Sequence, residues 1–295
     1  MTTAQPIFDL IKDGTAIDLK YRYSEKIGDK IKSKIHQRKY VIESLCKDFT
    51  DIPARTLAGR LYHCVPRTPC NQPYCPMCRH KQQAKFSRKM VKAFGHVPVN
   101  QLRFITILYS VHYDPSAIAL YVINDLKKQF RNVINHLPNW ANTDLRFLGA
   151  FEIEALLAKS ITTPNKIAAL DPLGRDPSSD LPFYLLHFHA VIDLGSMTDA
   201  HLRKLLTRNI FPHPYQVRIQ QLHSDKSVKE NLKQLASYML KFRLQHSDRL
   251  KFDQIDNQPY QRSVYQSLYD PAIAKAVVMA VDACNSFHGL IFKSL

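Results

Sequence analysis

Residues 183–194 read FYLLHFHAVIDL and carry two histidines, His187 and His189, inside an otherwise apolar run. The aromatic and β-branched content predicts a strand. Because side chains alternate between the two faces of a strand, both imidazoles leave the sheet on the same side. Two neutral imidazoles at this spacing are suited to bind a divalent metal ion, and a pair of solvent-facing histidines is the alternative. An imidazole in so apolar a strand needs a polar partner, which favours the metal site.

A third ligand is expected from the preceding strand, which residues 147–155 (FLGAFEIEA) are predicted to form. Glu152 and Glu154 share one face of it, so a hairpin with the histidine strand would bring both carboxylates to the imidazoles. An oxygen ligand added to two histidines suits Mg²⁺ or Mn²⁺ as well as softer ions. Which glutamate would bind depends on the register of the two strands, and the sequence leaves that open.

Further strands and helices alternate around this pair. Strands are predicted at 103–110 and 215–222, and helices at about 115–137, 196–212 and 227–244. Asp114-Pro115 starts the first of these helices, and Ser196 with Asp199 starts the second as a capping box. The order from residue 103 is β-α-β-β-α-β-α. It predicts an α+β fold, a ferredoxin-like split βαβ antiparallel sheet with helices on one face.

Three regions are expected along the chain. They are a basic helical region at 1–100 with a Cys-rich knuckle at about 64–80, a domain at 101–250 that contains the split βαβ sheet, and a C-terminal helical extension at 251–295. Within the second region, residues 156–182 carry four prolines and are predicted to be a long surface loop. In the third, Asp270-Pro271 starts a largely apolar helix to about Asn285, interpreted as a packing or subunit-contact element.

The predicted helix at 227–244 turns a tyrosine away from its apolar side. Its apolar stripe consists of Val228, Leu232, Leu235, Met239 and Phe242. Its polar face carries Asn231, Gln234, Tyr238, Lys241 and Gln245. The phenol of Tyr238 is either an ordinary exposed side chain or a group aimed at a site, and Lys241 one turn further on could hold a phenolate or a phosphate.

Cysteines are concentrated in CVPRTPCNQPYCPMC, which contains Cys64, Cys70, Cys75 and Cys78, four of the six in the chain. Four thiols in so short a stretch match a tetrahedral Zn²⁺ site better than disulfides. A full set of ligands leaves no open position, so this zinc is predicted to be structural. His63 or His80 could replace one thiol, and an iron–sulfur cluster is a less favoured alternative.

The chain carries 41 Lys and Arg against 25 Asp and Glu, a net charge of +16. Such an excess favours a polyanionic partner, most simply nucleic acid. On a helix predicted at about 80–94, one face carries Lys81, Lys85, Arg88 and Lys92. These cations are predicted to contact DNA phosphates, with a merely solvated helix face as the alternative. The N-terminal residues lack a signal-peptide pattern and no apolar run reaches bilayer length, so no membrane partner and a cytoplasmic location are expected.

In kind and order, these motifs resemble those of the rolling-circle replication initiators, which belong to the HUH endonuclease superfamily. Phe104–Leu108 is similar to the first, apolar strand motif of that family, His187-Phe188-His189 to its metal motif, and Tyr238-Met-Leu-Lys241 to its Tyr-x-x-Lys nucleophile motif. The Cys-rich segment ahead of them is similar to the plasmid replication-protein branch. The resemblance covers roughly residues 64–242.

The resemblance implies a metal-dependent DNA endonuclease in which Tyr238 attacks a phosphodiester and remains joined to the 5′ phosphate. It implies Glu152 as the third metal ligand, with Glu154 in reserve. Single-stranded DNA or an origin hairpin is the implied substrate. The sequence has no GxxxxGK[ST] motif, so a host helicase as well as a polymerase is expected as a partner.

Three alternatives stay open at the level of sequence. A transposase of the same superfamily would share this chemistry, and a non-catalytic, zinc-dependent DNA-binding regulator would explain the charge and the cysteines. A single tyrosine in the nucleophile motif implies one-tyrosine chemistry. Tyr260, Tyr265 and Tyr269 follow it in the sequence, and each is either a second acceptor or structural.

Overall fold

The computed structural model describes residues 29–118, 120–135, 146–244, 269–284 and 286–294, so the predicted elements within 1–28 and 245–268 lie outside the described residues. The helices are α1 (Asp29–Cys46), α2 (Ile52–Tyr62), α3 (Pro76–Phe94), α4 (Leu120–Asn135), α5 (Pro164–Leu170), α6 (Asp199–Asn209), α7 (Val228–Met239), α8 (Pro271–Ala283) and α9 (Ser286–Leu290). The strands are β1 (Leu102–His112), β2 (Arg146–Leu157), β3 (Pro182–Asp193), β4 (Val217–Gln221) and β5 (Ile291–Ser294).

The strands of the described residues form one five-stranded antiparallel sheet in the order β4-β1-β3-β2-β5. From β1 to α7 the elements follow one another as predicted, with the short α5 added between β2 and β3. An α+β fold built on an antiparallel sheet is therefore confirmed. β5 was not predicted, and it pairs with the outer edge of β2, where Ala150 lies opposite Ile291.

Helices cover both faces of this sheet, so the prediction of helices on one face is wrong. On one face, Ile153 and Phe188 belong to an apolar cluster with residues of α4, α6 and α8. On the other face, Leu148 and Val191 pack with residues of α3 and α7. β2 and β3 are buried on both sides: one side is apolar, and the other combines apolar residues with the buried glutamates and histidines of the two strands. Apolar surface on both sides requires that both sides be covered.

The segment between β2 and β3 is compact, and the prediction of a long surface loop is wrong. It contains α5 and short turns, and Ile161 and Leu170 pack against Phe183 in a separate apolar cluster. Arg175 is buried within the segment and donates a hydrogen bond to the carbonyl of Ala158 at 3.2 Å. The prolines indicated a loop, but the apolar residues between them supply a small core.

Three helices have boundaries that differ from prediction. α4 begins at Leu120, because Asp114-Pro115 starts a short 3-10 turn at 115–117 and not the helix itself. Thr198, and not Ser196, caps α6. α7 begins after Ser227, as predicted, with a capping box between Ser227 and Glu230, but it ends at Met239 rather than near residue 244. The sequence predicts Lys241 on the helix, but this residue lies on the non-helical segment that follows α7.

The N-terminal helices and α8 pack in the same apolar cluster as the sheet. Val41 and Leu45 of α1 and Val277 and Val281 of α8 are buried. α8 begins at the predicted Asp270 cap, and its interpretation as a packing element is confirmed. Within the described ranges, no helix combines the length and the apolar character needed to cross a membrane.

Candidate active site

Glu152, His187 and His189, the histidine group, converge on the face of the sheet that α3 and α7 partly cover. β2 and β3 pair in a register that places Glu152 opposite His187. One ligand atom from each side chain lies within 4.8 Å of the others. Nε2 of His189 is 3.1 Å from Oε2 of Glu152, and Nε2 of His187 is 3.6 Å from the same oxygen. All three side chains are buried.

Glu154 lies on the same face but has a different principal partner. Its Oε1 accepts a hydrogen bond from Nη1 of Arg243 at 2.6 Å, and its Oε2 is 3.7 Å from Nε2 of His187. Glu152 therefore lies between the two imidazoles, while Glu154 lies at the margin of the group. The strand register, which the sequence leaves open, produces this difference.

Burial controls the protonation of the histidine group. It lowers the pKa of His187 well below its usual range and also lowers the pKa of His189. Burial alone would raise the pKa of Glu152, but the hydrogen bond with His189 and attraction to Lys241 hold that pKa below its usual range. Two neutral imidazoles beside one carboxylate are the protonation state that binds a divalent cation.

Two residues of β1 fix the ring of His189. Oγ1 of Thr106 lies 3.0 Å from Nδ1 of His189, and the ring of Phe104 stacks on the imidazole with centroids 5.7 Å apart. A hydrogen bond at Nδ1 orients an imidazole and leaves Nε2 to face a ligand. The first predicted strand motif thus supports the histidine group from the neighbouring strand.

Three buried polar atoms at the centre of the site lack a hydrogen bond within the described part of the chain. They are Nε2 of His187, Oε1 of Glu152 and Nζ of Lys241, and the last two lie in ion pairs, with Arg243 and Glu152 respectively. Nε2 of His187 is the one of the three that has no close partner among the described residues, and a buried polar atom in that state is unfavourable by about 1–3 kcal/mol. A cation between His187 and Glu152 would satisfy that imidazole, and two nitrogens with one carboxylate form a donor set for divalent ions. The residues present therefore fit a metal ion.

Tyr238 lies at the C-terminal end of α7, directly beside the histidine group. Its ring centroid is 5.1 Å from that of His189 and 5.8 Å from that of Phe104. The side chain is 41% exposed, whereas Leu232 and Met239 of the same helix are buried. The structure thus brings the predicted tyrosine to the predicted histidines and leaves it accessible.

Two cations follow Tyr238 on the segment after α7. Nζ of Lys241 lies 3.5 Å from the centroid of the Tyr238 ring and 3.2 Å from Oε2 of Glu152. Nε of Arg243 lies 3.0 Å from Oε1 of Glu152, so this guanidinium contacts both Glu152 and Glu154. Sequence reasoning missed Arg243. No local pattern indicated it, because the sequence predicts a helix through residue 244, on which residues two apart point to different sides.

Several other residues predicted as a second acceptor or on the polar face beside Tyr238 either are buried or lie outside the described residues. Tyr269 is buried, so it is a packing residue and not an accessible second acceptor. Tyr260, Tyr265 and Gln245 lie outside the described residues. Asn231, predicted on the polar face of α7, is buried and donates a hydrogen bond to the carbonyl of His223 at 2.9 Å. This hydrogen bond holds the loop at His223 against the start of α7.

An open cleft of about 950 Å³ extends from the histidine group across β1 to β4, an edge strand of the sheet. Lys166 of α5 and Arg243 line it near the site, and Tyr215 and Arg218 line it at β4. Burial lowers the pKa of Lys166 to about 8. A cleft with these cations is suited to an extended polyanion.

Cys64, Cys70, Cys75 and Cys78, the cysteine group, form a second cluster. Sγ of Cys64 lies 3.7 Å from that of Cys75 and 3.5 Å from that of Cys78. A tetrahedral zinc site with Zn–S bonds of about 2.3 Å has sulfur atoms about 3.8 Å apart, so the cluster has the size of such a site. The backbone N–H groups of Cys70 and Asn71 donate to Sγ of Cys64 and Cys78, respectively.

α3 begins within the cysteine group and carries the predicted basic stripe. Lys81, Lys85, Arg88 and Lys92 are all exposed. They lie opposite Phe86 and Met90, which are buried, so one face of this helix packs and the other is accessible, as the sequence predicts. Among the described residues, His63 and His80 do not take part in the group of four cysteines.

Gln83 of α3 fastens the end of α7 that carries Tyr238. Its Nε2 donates hydrogen bonds to the carbonyls of Ser237 at 2.9 Å and of Leu240 at 3.3 Å. Carbonyls in the last turn of a helix have no partner within the helix. A side chain of α3 therefore satisfies the backbone on both sides of the tyrosine.

Arg79 makes a parallel link one turn nearer the cysteines. It directly follows Cys78 in the sequence, and its Nη1 donates a hydrogen bond to the carbonyl of Phe242 at 3.3 Å. Phe242 lies between Lys241 and Arg243. Through Arg79 and Gln83, α3 connects the cysteine group to the segment that faces the histidine group.

No family model matches this chain, and no curated protein or solved structure is similar enough to it to match. The side chains of the histidine group and its surroundings are therefore the basis on which a function is assigned.

Proposed function

We propose that this chain is a metal-dependent tyrosine endonuclease that nicks and rejoins single-stranded DNA, and that it initiates rolling-circle replication. The observation that carries the proposal is the position of Tyr238, with its ring centroid 5.1 Å from that of His189. A tyrosine placed only for packing would lie on the buried side of α7. The β-α-β-β-α-β order on an antiparallel sheet also supports the proposal, because it is the split βαβ arrangement of the HUH endonucleases.

The histidine group would hold a Mg²⁺ or Mn²⁺ ion, which when bound supplies a Lewis acid that polarises a phosphate oxygen. The chain's own residues prepare the site for it. Thr106 orients one imidazole, and Arg243 holds both carboxylates in place. Lys241 and Arg243 balance the charges of Glu152 and Glu154, so a divalent ion would leave the site positive and attractive to a phosphodiester.

In the proposed reaction, the phenol oxygen of Tyr238 attacks phosphorus in line with the leaving 3′ oxygen. A bond forms between the phenol oxygen and phosphorus, and the bond from phosphorus to the 3′ oxygen breaks. The electron pair of that bond and the phenol proton pass to the 3′ oxygen. Lys241, over the ring, stabilises the negative charge that develops on the phenol oxygen. The ester conserves the bond energy, so the reverse reaction rejoins strands.

The other parts of the chain have supporting roles in this proposal. The cysteine group would bind a structural Zn²⁺, because four thiolates leave no open coordination position. The exposed cations of α3 would contact DNA phosphates, which supply most sequence-independent affinity. The free 3′-OH left at the nick would prime a host polymerase, and a host helicase would unwind the duplex beyond the origin hairpin.

Trapping the covalent product tests the proposal. With a randomised single-strand pool and Mn²⁺, the native protein should form an adduct that survives denaturing electrophoresis, and mass spectrometry should locate the 5′ phosphate on Tyr238. Tyr238→Phe removes one accessible hydroxyl, so stability should change by no more than about 1 kcal/mol while the adduct disappears. Cleavage by the native protein without any covalent species would refute the proposal, because water would then be the nucleophile.

A further inference from the structure

Tyr215, at the far end of the cleft, has an exposure and a backbone conformation that packing does not explain. Its side chain is 59% exposed. Its φ is +59°, in the left-handed region that residues other than glycine rarely adopt. It is the third residue of a turn, HPYQ, in which the N–H of Gln216 donates to the carbonyl of His213 at 3.3 Å. Glycine is the usual residue where such a turn requires a positive φ.

The buried side chain of Gln216 holds this turn against the sheet. Its Nε2 donates to the carbonyl of Leu108 at 2.9 Å, and its Oε1 accepts from the backbone N–H of His213 at 3.3 Å. The backbone N–H of Leu108 also donates to the carbonyl of Gln216 at 3.0 Å. A strained residue persists only where its surroundings over-determine it, and such residues cluster at binding sites. The backbone that carries the exposed ring is thereby kept in a fixed place.

That place lies on the wall of the cleft that contains the histidine group. Thr106 of β1 pairs with His189 on one side and with Arg218 of β4 on the other. Residues paired in register share a face, so Arg218 lies two strand spacings, or about 10 Å, from His189 on the same face. Gln220 follows Arg218 on that face and also lines the cleft. An extended chain leaving Tyr238 across the sheet would pass these side chains.

We propose that Tyr215 is a stacking platform for a nucleobase of single-stranded DNA adjoining the phosphodiester at Tyr238. This inference rests on the proposed function and adds a specific contact to it. A flat ring on a fixed turn can stack on any base, because every base presents an aromatic face. Bases within a duplex are already stacked on one another, so the platform would serve only a single strand. A base held here would orient the neighbouring phosphorus for in-line attack.

The test measures binding in Tyr238→Phe protein, which cannot form the adduct. The probe is a short fluorescent oligothymidylate at fixed ionic strength. Tyr215→Gly removes the ring and also relieves the positive φ, so the midpoint of thermal unfolding should stay unchanged or rise. Affinity should fall about fivefold or more, since stacking contributes that much per base. Tyr215→Phe should bind like the parent. Phe49→Ala, which removes an exposed aromatic ring outside the cleft, should also bind like the parent.

Each contrary outcome overturns the inference. Tyr215→Gly protein that binds oligothymidylate as tightly as the parent would show that the ring contributes nothing. A lower unfolding midpoint in this variant would show that the ring serves the fold. An equal loss of affinity for blunt duplex DNA would point to a general change of the surface. Failure of the proposed function is seen separately, as a native protein that binds through Tyr215 yet forms no adduct at Tyr238.

Discussion

The cysteine group and the histidine group both consist of side chains suited to a metal ion, but they are assembled differently. Cys64 and Cys78 are 14 positions apart, and all four thiols come from one short segment. Glu152 and His189 are 37 positions apart and meet only because β2 and β3 pair in one register. The first group depends on local chain geometry, and the second depends on the sheet.

The assembly of each group agrees with its proposed role. Four sulfur atoms can complete a tetrahedron around zinc, and a complete tetrahedron favours structural stability over reactivity. Three ligands from strands would leave coordination positions for a substrate oxygen, and two of them, His187 and His189, line a cleft beside Tyr238. Substitutions in the two groups should therefore have different consequences for catalysis and for stability.

Replacing His187 and His189 together by alanine should have the largest effect on activity. Metal polarisation of a phosphate is worth several kcal/mol, so adduct formation should fall by about 10³-fold or more. Single-strand binding should largely persist, because cationic side chains supply it. Elemental analysis should still find close to one zinc per chain. Full adduct formation by this variant, or by the native protein in excess chelator, would show that the histidine group does not hold a metal ion needed for cleavage.

Cys75→Ser should mainly affect stability. Cys75 is buried and is the N-cap of α3, and a structural zinc contributes directly to folding free energy. The midpoint of thermal unfolding should drop together with the zinc content. Adduct formation should fall about tenfold, since α3 holds the end of α7. Binding of Mn²⁺ to the histidine group should persist. Zinc-free protein with an unchanged unfolding midpoint would contradict the structural role.

Glu152→Gln and Glu154→Gln form a matched pair, because both residues lie on the same strand and face. Only Glu152 lies between the imidazoles, so its substitution should reduce adduct formation by more than about 100-fold and raise the Mn²⁺ concentration required. Glu154 acts through Arg243, and loss of such a supporting contact costs about tenfold. The reverse order of effects in a Mn²⁺ titration would make Glu154 the ligand.

The same contrast explains how much of the site the sequence predicts. His187 and His189 are predictable because strand alternation alone puts them on one face, and the cysteines because their spacing is local. Arg243 is not, because the hydrogen bond that places it spans 89 positions and forms only where α7 ends early. Asn231 lies on the predicted polar face of its helix, yet its side chain is buried. The carbonyl of His223 accepts a hydrogen bond from its amide, and this contact with the preceding loop is not visible in the helical pattern.

The smallest predicted effect concerns the link between the two groups. Gln83→Ala removes two hydrogen bonds to the end of α7, each worth about 0.5–1.5 kcal/mol, while leaving every cysteine in place. If these bonds hold Tyr238 toward the histidine group, adduct formation should fall about threefold, with zinc content and oligonucleotide affinity unchanged. Gln82→Ala is the matched control, since among the described residues Gln82 makes no hydrogen bond to α7 and its loss should leave the rate as it is. Equal rates for the two variants would mean that these two hydrogen bonds do not position the nucleophile. A loss confined to Gln83→Ala would mean that contacts from α3 to the end of α7 help to set the geometry at Tyr238, because every cysteine and the bond from Arg79 to Phe242 are unchanged in that variant.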